Sequence, residues 1–181
     1  MKSFTCSSLG VAGIALVGMM MSPNLVAFAA DYETTDFAGR APTKDELIDA
    51  LKPPYKTRGL KRDPSIKPKA ANLDSITFEF NSDKLTEQGK STLNELGAAL
   101  TSEQLQGYTF DLQGHTDAVG SSEYNLALSK RRADAVKRFL TAQFQIDSSR
   151  LKTVGKGETD LKDSDHPASE VNRRVQIITK N

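Results

Sequence analysis

Apolar positions recur along this chain at two spacings, and the change from one to the other marks out its elements. Ile76, Phe78 and Phe80 alternate with polar residues in SITFEF (75–80), the period of two of a half-buried strand. Thr86 to Leu100 shifts to a helical period, with Leu85, Gly89, Leu93, Leu96 and Leu100 on one face. Thr86 is placed to cap that helix, and Glu87 suits its positive end. Tyr108, Phe110 and Leu112 alternate again in YTFDLQG (108–114), which stops at Gly114. Gly120-Ser121-Ser122-Glu123 then turns the chain into a second helix, whose stripe from Leu128 runs Arg132, Ala135, Val136, Phe139 and Leu140. RLKTVG (150–155) reads as a third strand and VNRRVQIIT (171–179) as a fourth. The order βαβαβ(loop)β predicts one α+β domain over residues 72–181, two main helices packed on a small mixed sheet.

Upstream of Asn72 the pattern changes character. Residues 1–29 have the three parts of a secretory signal peptide: Lys2 near the start, an apolar run from Leu9 to Met21, and small residues at −3 and −1 in Ala27-Phe28-Ala29. Cleavage is expected after Ala29, because cleavage after Ala30 would put Phe28 at −3. The run is shorter than the ~20 apolar residues of a membrane span. Cys6 precedes it instead of following it at the cleavage site, so no lipid anchor is expected through that residue. Residues 30–71 read as a basic, proline-rich tether. Thr43 to Leu51 has a capping-box start, with Glu46 three residues after Thr43, and is expected to form a short helix. Lys52 to Lys69 then holds seven basic residues against one acid, with Pro53, Pro54, Pro64 and Pro68. The expectation is a solvated, semi-extended linker; the alternative is a basic arm touching an anionic surface.

Charge narrows the function. Removal of residues 1–29 takes away the one Cys, and with it any disulfide or thiolate ligand, and lowers the net charge from +1 to zero. A generic nucleic-acid binder carries a basic excess, so Lys130, Arg131, Lys137 and Arg138 read as a solvated helix surface. No later segment is long and apolar enough to cross a bilayer, and no ladder of ten-residue alternating strands suggests a barrel. A soluble, exported protein with no transmembrane segment after leader removal is expected.

Arg132 is out of place on its apolar stripe. A guanidinium stays charged at ordinary pH, and burying it unpaired is costly. It can snorkel outward, pair with a carboxylate of the same chain, or line a cleft that receives an anionic ligand. The neighbouring stretch bears on the choice. His115-Thr116-Asp117 follows the end of a strand, where binding groups gather. Asp117 accepts and Arg132 donates. Close together they form a salt bridge; held apart across a pocket they match a zwitterion, each charge-assisted hydrogen bond contributing about 1.5–3 kcal/mol.

ITFEFNSDKL, GHTDAVGSSEYNLALSKRRADAVKRFL, VGKGET and NRRVQI stand in the order and at the spacing of one family. Over residues 72–181 the chain resembles the OmpA-like C-terminal domain, a peptidoglycan-binding module of Gram-negative envelope proteins. The resemblance implies non-covalent binding of the stem peptide through diaminopimelate, which offers a free ammonium and a carboxylate. It assigns the family's key Asp to Asp117 and its key Arg to Arg132, fifteen residues later. It places Thr116 in the same motif and implies that Asn125 and Arg173 line the pocket. Strand parity puts Arg173 on one face with Val175 and Ile177. The chain departs from the family in the short NSDK loop, which leaves open whether Asn81 or Ser82 reaches the ligand, and in TDLKDSDHPASE (159–170), where an altered loop is expected. The implied protein is a free-standing periplasmic member that anchors itself to the cell wall, without catalysis or cofactor.

Two other classes were weighed. A metal-dependent wall hydrolase would need ligands such as His115, Asp117, Asp165 and His166, but their spacing matches no metal motif; His115 reads instead as a strand-end residue bonded to the backbone. Ser121 and Ser122 read as turn or cap residues, not nucleophiles. VGKGET lacks the pattern of a phosphate loop and reads as a strand-to-loop turn. An adaptor docking on another envelope protein, through the basic stretch or a helix face, is compatible with wall binding.

Overall fold

The computed structural model describes residues 32–37, 39–53 and 67–180. The leader at 1–29 and most of the basic stretch at 52–69 lie outside these residues. The described chain builds a five-stranded mixed sheet in the order β1-β2-β5-β3-β4. The strands are β1 (Glu33–Asp36), β2 (Lys69–Leu73), β3 (Thr109–His115), β4 (Leu151–Gly157) and β5 (Val175–Lys180). Three helices, α1 (Lys44–Leu51), α2 (Glu87–Leu100) and α3 (Ser122–Phe144), pack on it and on each other in that order. β3 and β4 are parallel, and α3 is the crossover that such a pair requires.

The two long helices start where their caps specify. Thr86 accepts from the Gly89 N–H and Ser121 from the Tyr124 N–H. α3 begins a full turn and more before Leu128, so the helix is longer than its apolar stripe. Ala135, Val136 and Leu140 are buried as that stripe predicts, and Phe139 is partly buried. α3 lies unusually close to β3. A Cβ added to Gly114 would stand 2.2 Å from the Ser129 carbonyl oxygen, so only glycine allows the helix to settle there.

Two expectations are corrected. The strand expected at SITFEF is instead Lys69–Leu73, and a further strand, Glu33–Asp36, precedes it. Ala70, Ala71 and Leu73 are fully buried, so both faces of β2 are covered and no polar face alternates with an apolar one. Residues 75–80 leave the sheet instead. Ile76 is buried, and Phe78 pairs with Leu85 in a short hairpin; these two side chains pack against the core, while Phe80 stays exposed. The fourth strand likewise starts later, at Val175, after a 3-10 turn over Glu170–Asn172.

The second correction concerns the tether. Its helix has the expected capping box: the Thr43 side chain accepts from the Glu46 N–H while the Glu46 carboxylate accepts from the Thr43 N–H. That carboxylate, bonded first by Arg40 and then by Thr43, is held down to about 2. Yet α1 is no solvated spacer. Phe37, Leu47, Ile48, Ala50 and Leu51 join the hydrophobic core, and Glu95 of α2 accepts from the Lys44 N–H at 2.9 Å. Eight residues cannot hold a helix alone in water; burial of its apolar face against α2 and β2 holds this one.

Leu47 is fully buried. Leu47→Ala is therefore expected to destabilise the fold by about 2–5 kcal/mol, the cost of a core leucine truncation. Urea denaturation of the two proteins measures it, and an unchanged midpoint would show that α1 is peripheral.

Candidate binding site

The sheet register brings the site together. β3 and β5 run antiparallel with Gly114 opposite Val175, so the exit of β3 lies beside the entrance of β5. His115-Thr116-Asp117 thus meets Arg173-Arg174, and the His115 N–H donates to the Arg174 carbonyl at 2.9 Å. α3 crosses this corner at Ser129, and Arg132, three residues further on, comes in above it. The 78–85 hairpin closes the other side. Its Ser82 carbonyl accepts from Arg132 Nε at 3.0 Å, and the Arg132 guanidinium carbon stands 5.0 Å from the Phe78 ring centroid.

These elements enclose a cavity of about 170 Å³ lined by Arg132, Arg173, Arg174, His115, Phe78, Asp74 and Glu170 among others. Among the described residues no carboxylate lies within salt-bridge range of Arg132. Burial, and after it the charge of Arg173, draws the Arg132 guanidinium below its usual range, while Tyr124 and Asp117 oppose this. Asp117 is bonded to neither Arg132 nor solvent alone. Its Oδ1 accepts from the Val119 N–H at 3.2 Å and its Oδ2 from Arg173 Nη1 at 3.0 Å. Arg173 also reaches Glu170 at 2.7 Å. Burial pulls the Arg173 guanidinium down, but its bonds to Asp117 and Glu170 raise it overall. The corner therefore holds an engaged carboxylate and, across from it, an arginine with a single hydrogen-bonded nitrogen.

The remaining residues named from the sequence divide. Arg173 lines the cavity, but it precedes β5, so strand parity does not describe its direction. Asn125 is buried and absent from the lining. Its amide donates to the Val119 carbonyl at 3.1 Å and to Glu158 at 2.6 Å, bracing the loop that carries Asp117. Those bonds, Ser122's first and Asn125's next, lower the Glu158 carboxyl below its usual value. Thr116 is buried; its N–H donates to the Gly157 carbonyl, and its hydroxyl has no hydrogen-bond partner. Asn81 bonds the Tyr124 hydroxyl, and Ser82 holds Arg132 through its carbonyl. Ser121 caps α3 and Ser122 donates to Glu158 at 2.6 Å, which suits turn residues.

Several lining residues were not anticipated as such: among them, Phe78 read as part of a strand, His115 read as a backbone-bonded strand end, and Arg174 was not singled out. Arg174 is 4% exposed at its side chain; Nη2 donates to the Asp160 carbonyl at 3.2 Å, while Nε and Nη1 have no partner. Both His115 ring nitrogens, Asp74 Oδ1 and Ser75 Oγ are likewise buried without one. Unmet polar atoms gathered around one cavity mark a place built for water or a polar guest. Among the described residues no group of three or more potential ligands could hold a metal.

The OmpA family matches residues 77–174, more than half of the chain. Outer membrane protein A of Bordetella avium is 38% identical over 108 residues, 59% of this chain and 54% of that protein. The peptidoglycan-associated lipoprotein of Mesorhizobium japonicum is 38% identical over 85 residues, 47% of this chain and 49% of that protein. The crystal structure of the peptidoglycan-associated lipoprotein from Burkholderia pseudomallei is similar with a TM-score of 0.50 at 28% identity, covering 60% of this chain and 89% of that one. The fold is thus that of the C-terminal OmpA-like domain, the peptidoglycan-binding class. The chain belongs to the OmpA family. It spans about half the length of these two curated relatives.

His115 gives the site a pH signature. Burial, then the charges of Arg174 and Lys156, holds its imidazole at about 3 instead of the ordinary 6.5. Between those values the unfolded chain binds a proton that the folded chain refuses. Stability is therefore intact above pH 6.5 and falls as the pH falls toward 3. At ~1.4 kcal/mol per pKa unit, the loss is on the order of 3 kcal/mol by pH 4. His115→Gln should remove this part of the acid sensitivity in urea titrations at pH 7 and pH 4; the same pH dependence in both proteins would refute it.

Proposed function

We propose that the domain binds peptidoglycan without covalent attachment, through the diaminopimelate residue of the stem peptide, and so holds the protein to the wall of a Gram-negative envelope. One observation carries this reading: Arg132 reaches the cavity from α3 with no carboxylate to neutralise it, while Asp117 stands on a separate element. A zwitterionic side chain satisfies both. Its carboxylate would take the free donors of Arg132, and its ammonium would approach Asp117, sharing or displacing the Arg173 contact. Thr116 offers an unmet hydroxyl beside Asp117, and Asn125 keeps the Asp117 loop in place. Nothing in this scheme requires bond breaking, and the role is binding, not catalysis.

The names of the relatives support the setting. Outer membrane protein A and peptidoglycan-associated lipoproteins are envelope proteins by name. With residues 1–29 as an export signal, the protein would work in the periplasm, on the wall and near the outer membrane. No described helix is long and apolar enough to cross a membrane.

Co-sedimentation with purified sacculi tests the reading. Arg132→Ala should abolish retention while the domain stays folded; retention at the wild-type level would defeat the assignment. Asp117→Asn should weaken binding and flatten the preference for diaminopimelate walls over lysine-type walls, and equal binding of both wall types by the wild-type protein would remove the proposed specificity. The sacculi should remain chemically intact, whereas release of soluble muropeptides would point to a hydrolase. Raised salt should weaken the contact only in part, because a half-enclosed pair is screened less than exposed charges.

A further inference from the structure

The 78–85 hairpin is braced at every position around its tip. Phe78 pairs with Leu85, the Glu79 N–H donates to the Lys84 carbonyl at 2.8 Å, and the Ser82 N–H donates to the Glu79 carbonyl at 3.2 Å. Glu79 and Lys84 form an ion pair at 2.6 Å, and Asp83 accepts from Arg138 at 3.2 Å. Asn81 adopts the left-handed conformation at φ 52° and accepts from the Tyr124 hydroxyl. Yet Phe80, within this frame, is 100% exposed. A phenylalanine on a slack loop can fold back onto the protein; here the bracing holds it out in water.

Its position is informative. Phe78 stands at the bridge of the hairpin and lines the cavity, while Phe80, two residues on, sits in the turn and faces solvent. Tyr124, 40% exposed, is tied to the residue next to Phe80. The hairpin that closes one side of the cavity therefore carries one exposed aromatic ring and is tied to a second.

We propose that Phe80, with Tyr124 beside it, forms a second subsite that stacks against a pyranose ring of the glycan strand from which the bound stem peptide hangs. The inference rests on the stem-peptide reading above and adds a sugar contact to it. Aromatic faces meet the C–H face of a pyranose without needing a charge, and Phe80 offers no polar atom for anything else. Phe80 is near the site along the chain, with Asn81 alone between it and Ser82, whose carbonyl holds Arg132.

The test is calorimetric titration of the purified protein with two probes: a disaccharide-tetrapeptide containing diaminopimelate, and the same tetrapeptide without sugar. Wild type should bind the disaccharide form about three- to tenfold more tightly, the range of one aromatic contact. Phe80→Ser, a change at a fully exposed side chain, should bind both forms with the affinity that wild type shows for the sugar-free peptide. Equal affinity of wild type for the two probes, or a sugar preference that survives in Phe80→Ser, would overturn the glycan subsite while leaving the peptide site intact. Failure of wild type to bind either probe would remove the stem-peptide reading, and the glycan subsite with it.

Discussion

A guanidinium brought toward the inside of a fold must have its donors met, and at Arg132 this chain meets them only in part. The helix that carries it cannot rotate away, because Ser129, one turn earlier, lies against the Gly114 backbone and accepts from the Gly157 N–H at 2.9 Å. The hairpin above it contributes one carbonyl and one aromatic face. Everything else at the corner follows from this deficit: a cavity kept open, cations crowded along it, and a carboxylate occupied by a different arginine. Of the three fates open to an arginine on an apolar stripe, the proposed function takes the third, a place beside a cleft, and the lining of the cavity by Arg132 supports it.

Asp117 is the counterweight. It is bonded to Arg173, and under the proposed function an arriving ammonium would compete with that contact, which would keep single-site affinity modest. On a polymer that presents the same ligand many times, modest affinity still retains a protein, because a released site rebinds nearby before the molecule escapes. The charge arrangement thus suits attachment to an extended lattice better than capture of a scarce free molecule.

Much of this was legible in the amino-acid pattern, and the failures have specific causes. α2 and β3 announced themselves because apolar side chains recur along them at the helical and the strand period. β2 did not: Ala70, Ala71 and Leu73 are fully buried, so adjacent positions on opposite faces are both covered and no alternation shows. The alternation in SITFEF was real but belonged to a segment that leaves the sheet, where Ile76 and Phe78 pack inward and Phe80 does not. The cap of α1 was readable and its destination was not, since an eight-residue amphipathic helix looks the same in a linker and in a core. At the site, Arg132 stood out because charge broke a stripe within one element. The Asp117–Arg173 pair bridges 56 positions and depends on β3 lying beside β5, which no local pattern records. Arg174 was hidden by the same ignorance of register.

β5 follows every other described strand in the chain, yet it occupies the middle of the sheet, with β2 on one side and β3 on the other. Without Val175–Lys180 the sheet falls into two halves, β1-β2 and β3-β4, that no hydrogen bond joins. The sheet thus cannot close until Val175–Lys180 has joined the strands made before it, a long-range step. A polypeptide that stays open until its final strand arrives is well suited to threading through a narrow translocation channel and folding on the far side.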